Sequence, residues 1–242
     1  VYLLGNPLAR MDVVGGAMEG ERVACGSAHP DNVVPTLMGG FGIMHSQFDP
    51  VDIFRTKVSY QKLAVPFNLW FGIITPRVHL ETRKMREVLR DNPIIWEQNI
   101  TNKKAQDDVI EGIKSSDFER IGRGINAEAW VTPLRIKYIP QGDEALRVGR
   151  SHHGIYGGSI SGSGPSLFIV SDNSISVLEA LHAMEEVFLK NADIPFCDKH
   201  LTQVNSHGAC VIDQNISNFI KDSGVDYHQE FHQKNAYESH NS

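Results

Sequence analysis

The chain has 242 residues, 41% of them hydrophobic and 21% charged, which is enough for one large or two small globular domains with a buried core. The formal net charge of -6 gives no reason to expect nucleic acid or an anionic membrane as a partner. No apolar run approaches the ~20 residues that span a bilayer.

Taken in chain order, residues 7–21 read as a helix that ends in a glycine-rich turn. Residues 33–44 begin with proline and small residues and turn apolar through Phe41, Gly42, Ile43 and Met44, which suits a strand. Residues 46–59, with Asp49-Pro50, read as a connection. A strand over 68–75 is stopped by Pro76, and a helix runs from Thr82 to Leu89 with the Thr82 hydroxyl as its N-cap. Helical spacing marks 99–114 and 117–129, and Ser115-Ser116-Asp117 supplies a cap between them. Residues 140–154 contain Gly149-Arg150-Ser151-His152-His153, poor helix material. The two adjacent histidines do not share a helix face, which argues against a metal site there.

A glycine-serine turn at 159–165 precedes a strand at 167–170. The clearest amphipathic helix is 174–190, with Val177, Leu178, Leu181, Met184, Val187 and Phe188 on one face. Short strands follow at 200–204 and 209–212. From Asp213 the composition turns to Asn, Gln, Ser, His and Lys, and 214–242 read as a disordered tail. The alternation of elements points to α+β layers rather than a doubly wound sheet. Cys25, Cys197 and Cys210 form an odd set without CxxC spacing, read as small buried hydrophobes of a reduced, cytoplasmic protein.

Four segments carry chemistry. Residues 19–32 pack Glu19, Glu21, a glycine turn, His29 and Asn32 into a polar loop. His29 and Asn32 lie three apart, one face of a helical turn, and together offer donors and an acceptor to a small ligand. A nearby carboxylate suits Mg²⁺, and capping of a helix is the bland alternative for Asp31 and Asn32. Thr82 and Arg86 also share a helix face, either as a solvated basic helix end or as a guanidinium clamp for a carboxylate. Arg135 closes a Thr132-Pro133-Leu134-Arg135 segment. The run Ser159-Ile160-Ser161-Gly162-Ser163-Gly164-Pro165 is a turn in which glycines permit close backbone approach.

Read together, Gly26-Ser27-Ala28-His29-Pro30-Asp31-Asn32 with Gly39-Gly40-Phe41, and Gly157-Gly158-Ser159 through Ser166, resemble the homoserine kinases of the GHMP small-molecule kinase superfamily. The resemblance covers about residues 7–212. It implies a GHMP kinase-like two-domain α+β fold: a partial N-terminal domain (1–62) and a C-terminal ferredoxin-like α/β sandwich (63–213). It further implies ATP-dependent phosphorylation of L-homoserine in threonine biosynthesis. Asn32 and His29 would line the homoserine pocket, Arg86 and Arg135 would clamp its carboxylate, and Thr82 would sit beside the clamp. Glu21, ahead of Glu19, would hold Mg²⁺. Ser161, Gly162, Ser163 and Gly164 match the third family motif, which packs beside the nucleotide's phosphate loop.

Two departures stand out. Thr132 replaces the glutamate of the family's Glu-Pro-x-Arg, so a looser clamp is expected. The phosphate-binding loop itself, Pro-x-x-x-Gly-Leu-Gly-Ser-Ser-Ala, has no counterpart in the sequence, so a truncated parent and weak ATP binding are expected. A related kinase with another acceptor, of shikimate or mevalonate type, and a non-catalytic binding remnant are the alternatives. A homodimer is left open.

Overall fold

The computed structural model describes residues 13–26, 30–47, 57–190 and 193–209. His29, the start of the first expected helix (7–12), the expected strand over 210–212 and the expected disordered tail lie outside the described residues. All described residues but Ala209 fall in one compact unit ending at Gly208.

The chain opens with α1 (Val14–Cys25) and α2 (Pro30–Met38), followed by an antiparallel ribbon of β1 (Phe41–Gln47) and β2 (Lys57–Leu63). α1 runs past the expected end at 21 and stops at Gly26, whose left-handed φ of 79° lets its N–H return to the Arg22 carbonyl (2.8 Å). α2 replaces the non-helical start expected after 33. Pro30 sits at its first position, where a missing N–H costs nothing. Val14, Met18 and Val34 bury against Met44, Val58 and Tyr60, so both helices pack on the ribbon. β2 occupies the end of the segment read as a connection.

A second sheet holds four antiparallel strands in the order β4-β5-β3-β6. These are β3 (Trp70–Pro76), β4 (Gly157–Ile160), β5 (Leu167–Ser171) and β6 (Cys197–Thr202). Period-two alternation assigns its two faces. On one face, Ile74, Leu167 and Ile169 join Ala145, Leu146, Val177, Leu181, Met184 and Phe188. These come from α7 (Gly142–Ser151) and α8 (Ser174–Leu189). On the other, Phe71, Phe168 and Val170 meet Ile113 of α4 (Trp96–Ser115), Ile121 of α5 (Phe118–Asn126) and Leu63 of β2. The Asp117 side chain caps α5 as expected, accepting the Arg120 N–H at 2.9 Å. The α+β class is thus borne out.

Three expectations are corrected. Leu178 is 51% exposed, because it stands one residue round α8 from Val177, and Ala180 takes a buried place instead. Thr82 is the first helical residue of α3 (Thr82–Asp91) and not its cap; Glu81 holds the cap position without a side-chain bond. Residues 142–151 are helical despite their composition. The glycine that lowers propensity there, Gly149, is where a Cβ would fall 2.5 Å from Met184 Sδ and 3.2 Å from Ile169 Cγ2. Its bare backbone lets α7 sit down on α8 and β5, and tertiary packing overrides local preference. Cys197 is buried as read from sequence, and burial pushes its thiol up to about 11. The Cys25 and Cys210 side chains lie outside the described set.

Gly149→Val should therefore lower stability by about 1–3 kcal/mol through overpacking against Met184. Urea unfolding would show a lower midpoint at unchanged slope. A midpoint equal to wild type would mean that α7 and α8 do not approach as closely as described.

Candidate functional site

Two helices, a short helical turn and a hairpin loop bring the site together. α3 is strongly one-sided: Met85 is buried, and Arg86, the next residue, is one step round from it. α6 (Val131–Arg135) is a five-residue helix continued by a 3-10 turn, and it ends on Arg135. The β4–β5 loop, residues 161–166, closes through Ser161 N–H to the Ser166 carbonyl (2.8 Å) and Gly164 N–H to the Ser161 carbonyl (3.0 Å). Gly162 and Gly164 have φ of 58° and 77°, which glycine adopts without strain.

Arg135 joins these elements. Its Nε donates to the Met85 carbonyl at 3.1 Å and its Nη1 to the Gly162 carbonyl at 3.0 Å. The residue is only 8% exposed. Burial, and next the charge of Arg86, hold its guanidinium below its ordinary value, while Glu128 partly offsets them. The two arginines expected to form a clamp are therefore electrostatic neighbours. Their likeness of charge is a cost that an anion between them would relieve. At the departure from the family motif, Thr132 leaves the orientation of Arg135 to other groups. Two backbone carbonyls fix Arg135, and Thr132 instead shares a buried 2.6 Å hydrogen bond with the Ser159 hydroxyl.

The sequence read as a polar loop is largely helical. Glu19 and Glu21 lie on the last two turns of α1 and Asn32 on the first turn of α2. Asn32 Nδ2 donates to Glu21 Oε1 at 3.0 Å, and Arg86 Nη2 stands 3.9 Å from the same oxygen. Asn32, Glu21, Arg86 and Arg135 thus follow one another across the site. Glu21 Oε2 is buried and finds no hydrogen-bond partner among the described residues. An orphaned carboxylate oxygen of this kind fits a hard cation. Glu19 does not share the arrangement, since its carboxylate is engaged by Arg22 at 2.5 and 2.8 Å on the surface.

Ser163 Oγ donates weakly to Thr82 Oγ1 (3.4 Å), so the loop of Ser161, Gly162, Ser163 and Gly164 touches α3 and Arg135 at once. A Cβ on Gly162 would meet nothing within 4 Å, so the loop is open on that side. No group of three or more His, Cys, Asp or Glu side chains suited to a metal gathers among the described residues. No described helix is long and apolar enough to cross a membrane.

Sequence reasoning missed the polar groups that hold this frame. Glu128 accepts the N–H groups of Trp130 (2.8 Å), Val131 (2.6 Å) and Thr132 (2.7 Å). Arg150 donates twice to the Gly158 carbonyl, from Nε at 3.0 Å and Nη2 at 2.7 Å. An acid shortly before a Thr-Pro pair was the available signal for the first.

Residues 109–190 match the profile described as GHMP kinases C terminal. The homoserine kinase of Chloroherpeton thalassium is 33% identical over 199 residues, 81% of this chain and 59% of that relative. The crystal structure of homoserine kinase from Cytophaga hutchinsonii superposes with a TM-score of 0.76 at 35% identity, covering 87% of this chain and 63% of that one. L. major mevalonate kinase, at 16% identity and a TM-score of 0.54, shares the fold. The chain thus spans about three fifths of the length of the curated relatives it matches, 59% and 62% for the first two. Residues 109–190 thus match the C-terminal domain of GHMP kinases, and the chain is similar to homoserine kinases over most of its length.

Proposed function

We propose that the protein acts as a homoserine kinase, moving the γ-phosphoryl group of ATP to the hydroxyl of L-homoserine to give O-phospho-L-homoserine and ADP. The observation that carries this reading is the convergence of buried Arg135 and Arg86, an arrangement suited to a carboxylate. Arg135 Nη2 makes no hydrogen bond among the described residues and would meet one carboxylate oxygen. Arg86 would meet the other. Asn32, with His29 beside it in sequence, would orient the amino acid, and Thr82 would border the clamp.

Mg²⁺, when bound, would neutralise charge on the transferring phosphate, and Glu21 would hold it together with phosphate oxygens and water. In the transfer, the homoserine oxygen bonds to phosphorus as the bond from phosphorus to the ADP oxygen breaks, and the hydroxyl proton leaves to solvent. Positioning does most of the work, so no dedicated strong base is invoked. Ser161, Gly162, Ser163 and Gly164 would border the nucleotide phosphates on their open side. The same reading divides the chain into an N-terminal part (1–62), a C-terminal domain (63–213) and a tail (214–242). The buried, unpaired thiol of Cys197 suits the reducing cytoplasm.

Arg86→Ala should raise the homoserine KM about tenfold or more, given roughly 1.5–3 kcal/mol for a hydrogen bond to a charged group, and leave the ATP KM within about twofold. Steady-state kinetics with each substrate varied decides it, and equal effects on both would count against the clamp. Glu21→Gln should shift the Mg²⁺ requirement to higher concentration, while homoserine binding without Mg²⁺, followed by calorimetry, persists. Loss of that binding would assign Glu21 to the substrate instead. A panel of hydroxylated acceptors, including mevalonate and shikimate, tests the acceptor itself: turnover of another acceptor in preference to homoserine would overturn the assignment.

A further inference from the structure

We propose that Glu128 is a positioning residue for Arg135: its carboxylate fixes the short helix that delivers the guanidinium to the substrate. The inference rests on Arg135 meeting the substrate carboxylate, as read above. A five-residue helix is far below the length that sustains itself in water, so α6 needs an external hold. Glu128 supplies it. One carboxylate oxygen accepts the N–H groups of Trp130 and Val131, and the other accepts that of Thr132. Pro133 has no N–H, and Leu134 N–H reaches the Trp130 carbonyl at 3.4 Å. Every backbone donor at the start of α6 is thereby accounted for, and most of them by one side chain.

The segment that carries Glu128 is itself anchored. Ala129 N–H donates to Asn102 Oδ1 at 2.8 Å, and Gln98 Nε2 donates to the Ala129 carbonyl at 3.2 Å. Both side chains belong to α4, so Glu128 ties α6 to a twenty-residue helix of the core. From Thr132 the path continues through the buried hydroxyl pair with Ser159 to β4. Arg135 leaves the far end of α6 with its Nε and Nη1 already committed to Met85 and Gly162. Rotating or fraying α6 would withdraw the guanidinium from both carbonyls. The carboxylate also has a direct effect, because its charge favours the buried cations of Arg135 and Arg150. Burial opposes ionisation of Glu128, and the three backbone donors overcome it, so the carboxyl lies below its ordinary range and stays charged at neutral pH.

The test uses the 242-residue chain, with L-homoserine as the calorimetric probe and hydrogen exchange of the Arg135 Nε–H, read by NMR, as a second measurement. Glu128→Gln keeps the shape but turns one acceptor into a donor facing backbone N–H groups. It should weaken homoserine binding tenfold or more and speed exchange of the Arg135 Nε–H, while Glu128→Asp stays within about threefold of wild type. A folded Glu128→Gln with wild-type affinity and a protected Nε–H overturns the proposal. If Glu128→Gln does not fold, Glu128→Ala, which removes the acceptors without adding a donor, carries the test: a folded Glu128→Ala with unchanged Nε–H exchange then overturns it. If homoserine fails to bind the wild-type chain, the substrate reading falls, and the Nε–H exchange alone still decides whether Glu128 sets Arg135.

Discussion

The guanidinium of Arg135, held by the carbonyls of Met85 and Gly162, is the interaction on which the rest of the site depends. It is a bolt between three pieces of chain that are distant in sequence: the middle of α3, the end of α6 and the β4–β5 loop. None of the three is rigid alone. α6 is barely more than a turn, and the loop depends on glycine conformations. A buried cation satisfied by carbonyls has few alternative arrangements that do not strand its donors in a dry environment. That scarcity of alternatives gives the site its definition.

The same economy of donors and acceptors extends beneath the site. Glu128 serves the start of α6, the Thr132–Ser159 hydroxyl pair links α6 to β4, and Arg150 and Asn126 attach to the far side of β4. The apolar cores on the two faces of the four-stranded sheet supply the driving force for folding. The polar network decides where within that packed body the arginines emerge. Gly149 works in the same sense on the other face, where α7 must lie close to Met184 for Arg150 to reach the Gly158 carbonyl.

Much of the fold was legible because its longest elements carry clean periodicity. α4, α5, α8, β3 and β5 all fall where apolar spacing puts them, give or take a few residues at the ends. What was hidden has specific reasons. Pro30 and Pro35 disguised α2, although the first is in the one helical position that welcomes proline. β2 alternates Val58 and Tyr60 with polar and charged residues, and half-burial against α1 and α2 is not visible in a local window. α7 is helical because of what it packs on. In the site, Glu21, Asn32, Arg86 and Arg135 come together, while His29 lies outside the described residues. Glu128 escaped notice because its partners are backbone groups, which leave no mark in residue identity.

The treatment of β4 has a consequence for how molecules of this protein meet one another. As the first strand of its sheet, β4 presents an outward row of amides that another chain could extend. Asn126 takes the Gly158 N–H and the Tyr156 carbonyl, and Arg150 takes the Gly158 carbonyl, so that margin is capped by the molecule's own side chains. The opposite margin, β6, pairs only with β3 among the described strands and displays Asp198, Lys199 and His200 to solvent. The two ends of the sheet are thus protected by different means. One is blocked by covalently tethered substitutes for a neighbouring strand, and the other, among the described residues, carries charge that discourages stacking by another chain.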